Sequence, residues 1–208
     1  MYLEALQQRY SVKKFDKEKS VPAENLNNIL RAGQLSASSL GLQPYEILVV
    51  ETEALKQKLI PAFYNPSQIS TCSHLIVIVS KKNLDENYLG SYFQYISKVR
   101  EVELETLDPF KKNINSHITR LSDDEMSIWA EKQCYIVLGN LMFAAALENV
   151  DTCPMEGFKK EELEKLLELD QENLSISVTL ALGFRAEDDI FQNFKKVRKP
   201  DDKLFKFL

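Results

Sequence analysis

The residue types best suited to chemistry lie in a basic segment near the N-terminus. Residues 9–15 read RYSVKKF. If this segment is extended, side chains two positions apart share a face, so Arg9, Ser11 and Lys13 point the same way. A guanidinium, an ammonium and a hydroxyl that converge on one place suit a phosphate with further oxygen atoms beyond it. The segment is therefore a candidate anion site.

A second basic segment lies near the C-terminus. Residues 194–200 read FKKVRKP, and Lys196 and Arg198 share a face if this segment is extended. Both segments oppose the bulk composition, because the chain has a net charge of −5 and a pI of about 5.3. The alternative is that both are solvated surface runs, which charge alone favours because most lysines and arginines are exposed.

Composition and motifs exclude several classes of protein. The acidic balance argues against a nucleic-acid-binding protein. With six glycines and no glycine-rich phosphate loop or G-x-S-x-G motif, Rossmann-type nucleotide binding and Ser-His-Asp hydrolysis are disfavoured. No Cys, His or carboxylate spacing resembles a zinc site, so no metal is expected. His74, at the start of an apolar strand, is interpreted as structural.

The chain shows no targeting or membrane signal. Its apolar stretches are too short to span a bilayer, and residues 1–6 lack the basic and apolar regions of a secretory signal. Three widely spaced cysteines disfavour a disulfide framework. We therefore expect a cytoplasmic protein without a membrane partner.

The elements that must position the basic segments follow from periodicity and capping. We predict helices over residues 2–9, 23–37, 55–62 and 159–167, and strands over residues 46–51, 74–80 and 176–184. The continuous apolar run at 74–80 is typical of a strand covered on both faces. Residues 84–120 are predicted to be helical in pieces. No linker divides the 208 residues, so we expect one α+β domain, residues 1–208.

A long helix is predicted over residues 122–149. Ser122 and Glu125 form a capping-box pattern at its start. Residues 134–147 are apolar nearly all round, so we expect this part to be buried on all sides, as a core helix or a subunit interface. The apolar end, residues 204–208, would be either a mobile tail or an arm that docks on a partner.

Four segments together resemble the FMN-dependent nitroreductase family, which comprises flavin-dependent NAD(P)H oxidoreductases. They are residues 9–15, residues 36–39 with 43–45, residues 154–158 and residues 196–200. Each is a weak signal alone, but their order and positions match the family over essentially the whole chain. The resemblance implies a small, mostly antiparallel central sheet flanked by helices. It also implies a long interface helix and a C-terminal arm in a homodimer with shared flavin sites.

The resemblance implies roles for individual residues toward FMN. Arg9, Lys196 and Arg198 would hold the phosphate, and Ser11 would add a hydroxyl contact. Lys13 would lie near the N1/C2=O edge, where a cation stabilises the negative charge of the reduced ring. The implied cofactor-binding set is Arg9, Tyr10, Ser11, Lys13, Ser38, Ser39, Gly41, Asn65, Gln68, Pro154, Met155, Glu156, Gly157, Lys196 and Arg198.

The remaining members of this set divide into two groups. Asn65 and Gln68 would contact the pyrimidine edge, which needs both donors and acceptors. Residues 154–157 would pass against the flavin, with backbone N–H groups of Glu156 and Gly157 reaching N5 and O4. No side chain need act as a catalytic acid or base, and Lys13 and Glu156 are the nearest candidates.

Ser38 and Ser39 resemble residues that the second subunit contributes, although a plain turn after a helix is the local alternative.

Four other positions depart from the family pattern. Gly41 stands where many members have Asn, which weakens one contact between subunits. Tyr10, Tyr45 and Gln68 stand where His, Trp and Lys, respectively, occur in other members.

The implied activity is a ping-pong transfer of hydride from NADH or NADPH, through flavin N5, to an electron-poor small molecule such as a nitroaromatic or a quinone. Three alternatives remain open. They are a dihydropteridine or enone reductase with a narrow substrate, a flavin-binding protein without turnover, and an interaction protein with no cofactor.

Overall fold

The fold is built around a four-stranded antiparallel sheet. The computed structural model describes residues 2–169 and 173–208. The strands are β1 (Tyr45–Val50), β2 (His74–Lys81), β3 (Asp151–Met155) and β4 (Leu174–Gly183), in the order β1-β2-β4-β3. The central strands β2 and β4 are buried on both faces, as their continuous apolar sequences predict.

Helices flank the sheet on both sides, which confirms the α+β class. In the described part of the chain they are α1 (Tyr2–Gln8), α2 (Ala23–Gln34), α3 (Glu53–Leu59), α4 (Pro66–Thr71), α5 (Glu86–Arg100), α6 (Asp108–Ile118), α7 (Asp123–Leu147), α8 (Lys160–Leu166) and α9 (Asp201–Leu204). None of the helices in the two described ranges is long and apolar enough to cross a membrane. Residues 84–120 are indeed helical in pieces.

Two predicted helices have different ends in the structure. The helix predicted over 23–37 ends at Gln34, and residues 35–38 leave it as an irregular segment. The helix predicted over 55–62 begins earlier, because Thr52 caps it by accepting a hydrogen bond from the Leu55 amide. Its last residues instead form a 3-10 turn that contains Pro61, which has no amide hydrogen to continue the helix.

The sheet separates two apolar layers. On β2, Leu75 and Val77 face one layer, while Ile76 and Ile78 face the other. The first layer is covered by α3, α4, α8 and the segment around Phe15, and the second by α2 and α7. The N-terminal basic segment therefore ends at Phe15, which is buried in the first of these layers.

The long helix α7 has the predicted capping box, with both Ser122–Glu125 hydrogen bonds present. Its apolar half is buried on one face only, which disagrees with a core helix, while the alternative of a subunit interface stays a prediction. Leu141 and Ala145 are fully buried against α2 and the sheet, whereas Tyr135 and Ile136 are 40% and 44% exposed on the opposite face. An apolar helix face thus remains at the surface.

His74 is buried at the start of β2, and its Nδ1 lies 2.9 Å from the Ser73 hydroxyl. Burial lowers the pKa of this histidine, which favours the neutral ring. The side chain is therefore a hydrogen-bonded part of the strand, in keeping with its structural interpretation.

The N-terminal basic segment is fastened to the sheet by a close contact at Gly183. Phe15, which is fully buried, pairs across an antiparallel bridge with Arg185. A Cβ atom on Gly183 would lie 2.7 Å from Phe15 Cδ1 and 3.3 Å from the Ser73 amide nitrogen. Only a residue without a side chain lets the segment approach β4 this closely.

Gly183→Ala is therefore expected to lower the free energy of unfolding by about 1–3 kcal/mol, because Phe15 or the backbone must shift. The matched control is Gly90→Ala in α5, where a Cβ meets nothing within 4 Å. That change should raise stability by about 0.5–1 kcal/mol. Urea unfolding of both variants measures the difference. Equal stability of Gly183→Ala and wild type would contradict the close packing of Phe15 against Gly183.

Candidate functional site

The two basic segments meet around one cavity of about 560 Å³. Its wall carries six cationic side chains, namely Arg9, Lys13, Arg185, Lys195, Lys196 and Arg198. Tyr10 and Ser11 also line it, and no Asp or Glu is among the described lining residues. The two ends of the chain thus form a single surface that attracts anions.

The cations of this basic cavity have few counter-charges. Burial, and then the charge of Arg198, lowers the pKa of Arg9. Burial also lowers the pKa of Lys196, with Arg9 and Arg198 adding to the effect. Lys196 donates to the backbone oxygens of Leu6 and Arg9 rather than to a carboxylate. This crowding would be relieved by a bound anion.

A second, smaller cavity of about 280 Å³ lies beside the first. It is lined by Lys13, Phe63, Tyr64, Asn65, Gln68, Cys153, Pro154, Met155, Glu156 and Gly157. Lys13 lines both cavities. The end of β3 forms one wall of this cavity, and the start of α4 forms the other. We name it the ring-side cavity, because its lining contains the residues that the family resemblance places at the flavin ring.

Lys13 is held between the two cavities by its backbone. Its amide donates to Asp189 Oδ2 at 2.9 Å, and its carbonyl accepts from the Ser67 hydroxyl at 2.8 Å. Its ammonium lies 3.9 Å from the sulfur of Cys153. Burial raises the pKa of that thiol despite the nearby ammonium, so Cys153 stays protonated.

Two buried polar atoms in the walls of these cavities lack partners. In the described part of the chain, Arg9 Nε and Gln68 Oε1 are the buried side-chain atoms without a hydrogen bond. The first is a donor beside the basic cavity, and the second is an acceptor beside the ring-side cavity. Because buried polar groups are normally paired, these atoms fit a ligand with an anion at one end and a hydrogen-bond donor at the other.

The other ring-side residues are tied to their neighbours. Asn65 caps α4 by accepting from the Ser67 amide at 3.3 Å, and its side chain remains exposed. Glu156 is exposed and accepts from the Tyr135 hydroxyl at 2.6 Å, while the Gly157 carbonyl accepts from the Tyr64 amide at 3.0 Å. These contacts fix the mouth of the cavity.

Three residues of the sequence-predicted site lie elsewhere in the protomer. Ser38, Ser39 and Gly41 line neither of the two cavities. The Ser38 hydroxyl accepts from the Gln43 amide, and the Ser39 amide donates to Gln133. Gly41 has a φ of +71° beside Tyr92, so the position favours glycine for its backbone conformation. The fold of the single chain therefore does not bring these residues to the others.

Sequence reasoning missed three residues at this site. Cys153 was counted only as one of three scattered cysteines, although it directly precedes the 154–157 segment. Arg185 follows β4 and pairs with Asp151 through Nε at 2.9 Å. Asp189 closes an acidic run that is typical of a solvated surface, yet it is only 3% exposed. Two signals are present in the sequence: Cys153 adjoins the 154–157 segment, and Arg185 directly follows a predicted strand. No local pattern indicates Asp189.

Four of the five Phe and Tyr residues of 84–120 fall into two groups, and the fifth, Tyr95, is 66% exposed. Phe93 is fully buried, and Phe110 packs on it with ring centroids 5.8 Å apart. The hydroxyls of Tyr88 and Tyr92 donate to backbone oxygens of residues 40–43 and line a separate cavity of about 670 Å³. Core packing therefore accounts for the first pair, and support of the 40–43 turn accounts for the second.

Comparisons with known proteins agree with this architecture. A family model described as "Nitroreductase family" matches residues 6–184. A Staphylococcus haemolyticus protein named "Putative NAD(P)H nitroreductase" is 34% identical over 96% of this chain and 94% of its own length. A solved Staphylococcus epidermidis structure, named as a "putative NAD(P)H:FMN oxidoreductase", superposes with a TM-score of 0.87 at 25% identity, covering 100% of this chain and 96% of that one. An Exiguobacterium sibiricum "putative nitroreductase in complex with FMN" superposes at 0.86 with 19% identity, covering 100% and 97%, and shows the same fold.

The crowded cations predict that inorganic phosphate stabilises the protein when no other ligand is bound. At ten times its dissociation constant, such a ligand adds about 1.4 kcal/mol, which raises the unfolding midpoint of a chain this size by about 3–5 °C. Thermal unfolding in phosphate and in chloride of equal ionic strength measures the effect. Arg198→Ala should reduce it, whereas Lys199→Ala, outside the cavity lining, should not. Equal shifts in both salts would contradict an anion site.

Proposed function

The chain belongs to the nitroreductase family, an oxidoreductase family, and we propose that it is an FMN-dependent NAD(P)H oxidoreductase that reduces an electron-poor small molecule such as a nitroaromatic or a quinone. The observation that carries this proposal is the pair of unpartnered buried atoms beside joined cavities, Arg9 Nε and Gln68 Oε1. FMN has a phosphate at one end and a ring N–H at the other, which suits both atoms.

The basic cavity would hold the phosphate end. Arg9, Lys196 and Arg198 would bind the dianion, because hydrogen bonds between ionised groups are about twice as strong as neutral ones. Ser11 would add a hydroxyl, and Tyr10 would form part of the wall. An acidic protein that places six cations around one cavity concentrates its positive field there.

The ring-side cavity would hold the flavin ring. Gln68 would accept from the ring N–H, Asn65 would offer its exposed amide, and residues 154–157 would lie against the ring. Lys13, which lines both cavities, would stabilise negative charge that develops on the ring. When bound, FMN supplies the hydride transfer between the nicotinamide and the acceptor.

No side chain of this chain is proposed as a catalytic acid or base. Glu156 accepts from Tyr135 at the exposed mouth of the cavity, so it orients the 154–157 segment. Lys13 acts through its charge. Protons for the acceptor would come from solvent, since the cavity is open to it. NADH or NADPH and the acceptor would then use the same cavity in turn.

We propose a homodimer as the working unit. The exposed apolar face of α7, which includes Tyr135 and Ile136, needs cover. The C-terminal residues Phe207 and Leu208 are fully exposed and could serve as an arm on the second subunit. Ser38 and Ser39, which line neither cavity of their own protomer, would complete the neighbour's flavin site.

The activity is tested by absorbance of the purified protein. We expect flavin bands, anaerobic bleaching by NADH or NADPH, and recovery of the bands when a nitroaromatic or a quinone is added. Arg9→Ala should weaken FMN binding about tenfold or more, because it removes a charged partner of the phosphate. Lys14→Ala is the matched control, since Lys14 pairs with Asp188 outside the cavity lining.

Each possible failure identifies a different alternative. A protein that binds no flavin would be an interaction protein of this fold. Flavin that binds but does not bleach would indicate a flavin-binding protein without turnover. Bleached flavin that recovers only with an activated alkene or a dihydropteridine would indicate a narrow-substrate reductase. Unchanged FMN affinity in Arg9→Ala would contradict the assignment of the phosphate end.

Deletion of residues 201–208 tests the shared site. The truncated protein keeps Arg198, so any loss reports on the arm and not on the phosphate contacts. We expect the unfolding midpoint and the flavin content to fall together, because folding, association and cofactor binding are linked. Light scattering and absorbance measure both. A truncated protein that is monomeric, fully loaded with flavin and active would rule out the shared site.

A further inference from the structure

Asp189 is a buried carboxylate beside a cation-rich cavity, yet it forms no ion pair with any lysine or arginine in the described ranges. It is only 3% exposed. Its oxygens instead accept hydrogen bonds from the Tyr10 hydroxyl and from backbone amides. Burying a carboxylate is expensive unless such bonds satisfy it, so this arrangement requires an explanation beyond a solvated acidic run.

The two oxygens of Asp189 serve different parts of the chain. Oδ2 accepts from the Tyr10 hydroxyl at 3.0 Å and from the Lys13 amide at 2.9 Å, and the Lys14 amide lies 3.4 Å away. Oδ1 accepts from the Phe191 amide at 3.1 Å and so caps a 3-10 turn at residues 190–193. This turn leads directly into the second basic segment. One side chain therefore joins both basic segments.

A second contact supports the first. The guanidinium of Arg185 lies 4.7 Å from the centre of the Tyr10 ring, which is within the range of a cation–π interaction. Arg185 is in turn held by Asp151 at the edge of the sheet. The Tyr10 hydroxyl that bonds Asp189 is thus fixed to the sheet.

The charge state of Asp189 agrees with this geometry. Burial alone would raise its pKa, but the amides of Lys13 and Phe191 and the Tyr10 hydroxyl outweigh burial and lower it. The group is therefore an ionised acceptor at neutral pH. Its negative charge also offsets part of the repulsion among the cations of the cavity.

We propose that Asp189 is a positioning residue that sets the distance between the two halves of the phosphate-binding cluster. It does not touch the phosphate. It fixes the backbone that carries Arg9, Ser11 and Lys13 against the turn that leads to Lys196 and Arg198. This inference rests on the proposed FMN function, and it predicts a defect specific to the phosphate.

The test variant is Asp189→Asn, which keeps the shape and removes one acceptor. Whichever way the carboxamide turns, its NH₂ group faces a backbone amide that is also a donor, that of Lys13 or that of Phe191. The matched control is Asp188→Asn, because Asp188 is the exposed neighbour that pairs with Lys14. Both substitutions remove one negative charge at adjacent positions.

Binding of FMN is compared with binding of riboflavin, which has the same ring and no phosphate. Asp189→Asn should weaken FMN binding about tenfold and riboflavin binding much less, because riboflavin lacks the phosphate and only Lys13 of the residues held by Asp189 lies at the ring. Asp188→Asn should change neither. An equal loss of affinity for both ligands would show that Asp189 only stabilises the fold. Unchanged affinity for FMN would show that the two segments keep their positions without Asp189. Each result overturns the proposal.

Amide hydrogen exchange of the flavin-free protein tests whether Asp189 holds the N-terminal segment against the 190–193 turn. In Asp189→Asn, peptides over residues 12–16 or 190–198 should exchange faster, while a peptide from β2 should be unchanged. Unaltered exchange in both segments overturns the proposal even if flavin binding changes. If the wild type binds neither flavin, the proposed function fails, whereas this exchange measurement still decides whether Asp189 joins the segments.

Discussion

The repulsion between like charges is the constraint on which this structure depends. Six cationic side chains from opposite ends of the chain line one cavity, and side chains so placed would separate unless the backbone held them. In the N-terminal segment, the backbone amides form hydrogen bonds that do not use the cationic side chains of that segment. The amides of residues 12–16 donate to Thr152, Asp189, Thr71 and Phe184, which leaves the cationic ends of Arg9 and Lys13 facing the cavity. Lys196 adds to this support by donating to the Leu6 and Arg9 carbonyls.

The sheet makes this possible because its centre is rigid. Strands β2 and β4 are covered on both faces, and the chain leaves β4 at Gly183, where Phe15 is seated. Arg185 and Asp189 follow within one short turn. The second basic segment therefore begins close to the end of β4. Because Phe15 of the first segment also packs at the end of this core strand, β4 holds the two segments near each other.

The division of the site into a basic cavity and a ring-side cavity suits the chemistry proposed for it. Positive charge is concentrated where a phosphate would bind, whereas the ring-side walls carry aromatic, amide and thiol groups around Lys13, with Glu156 at the exposed mouth. Lys13, the single cation among the described lining residues of this cavity, can favour the reduced ring without attracting every anion in solution. The exposed face of α7 leaves room for a second subunit to cover the remaining surface.

The sequence by itself determined the class and most elements, because these depend on local signals. Apolar runs predicted β2 and β4, and Ser122 with Glu125 predicted the start of α7. The composition of the two basic segments pointed to an anion. The resemblance to the nitroreductase family implied that both segments hold one phosphate, but only the tertiary structure shows them around one cavity. It also decided that α7 keeps an exposed face and that Asp189 is buried between the segments. Those facts depend on contacts between residues far apart in the chain, which neither periodicity nor composition encodes.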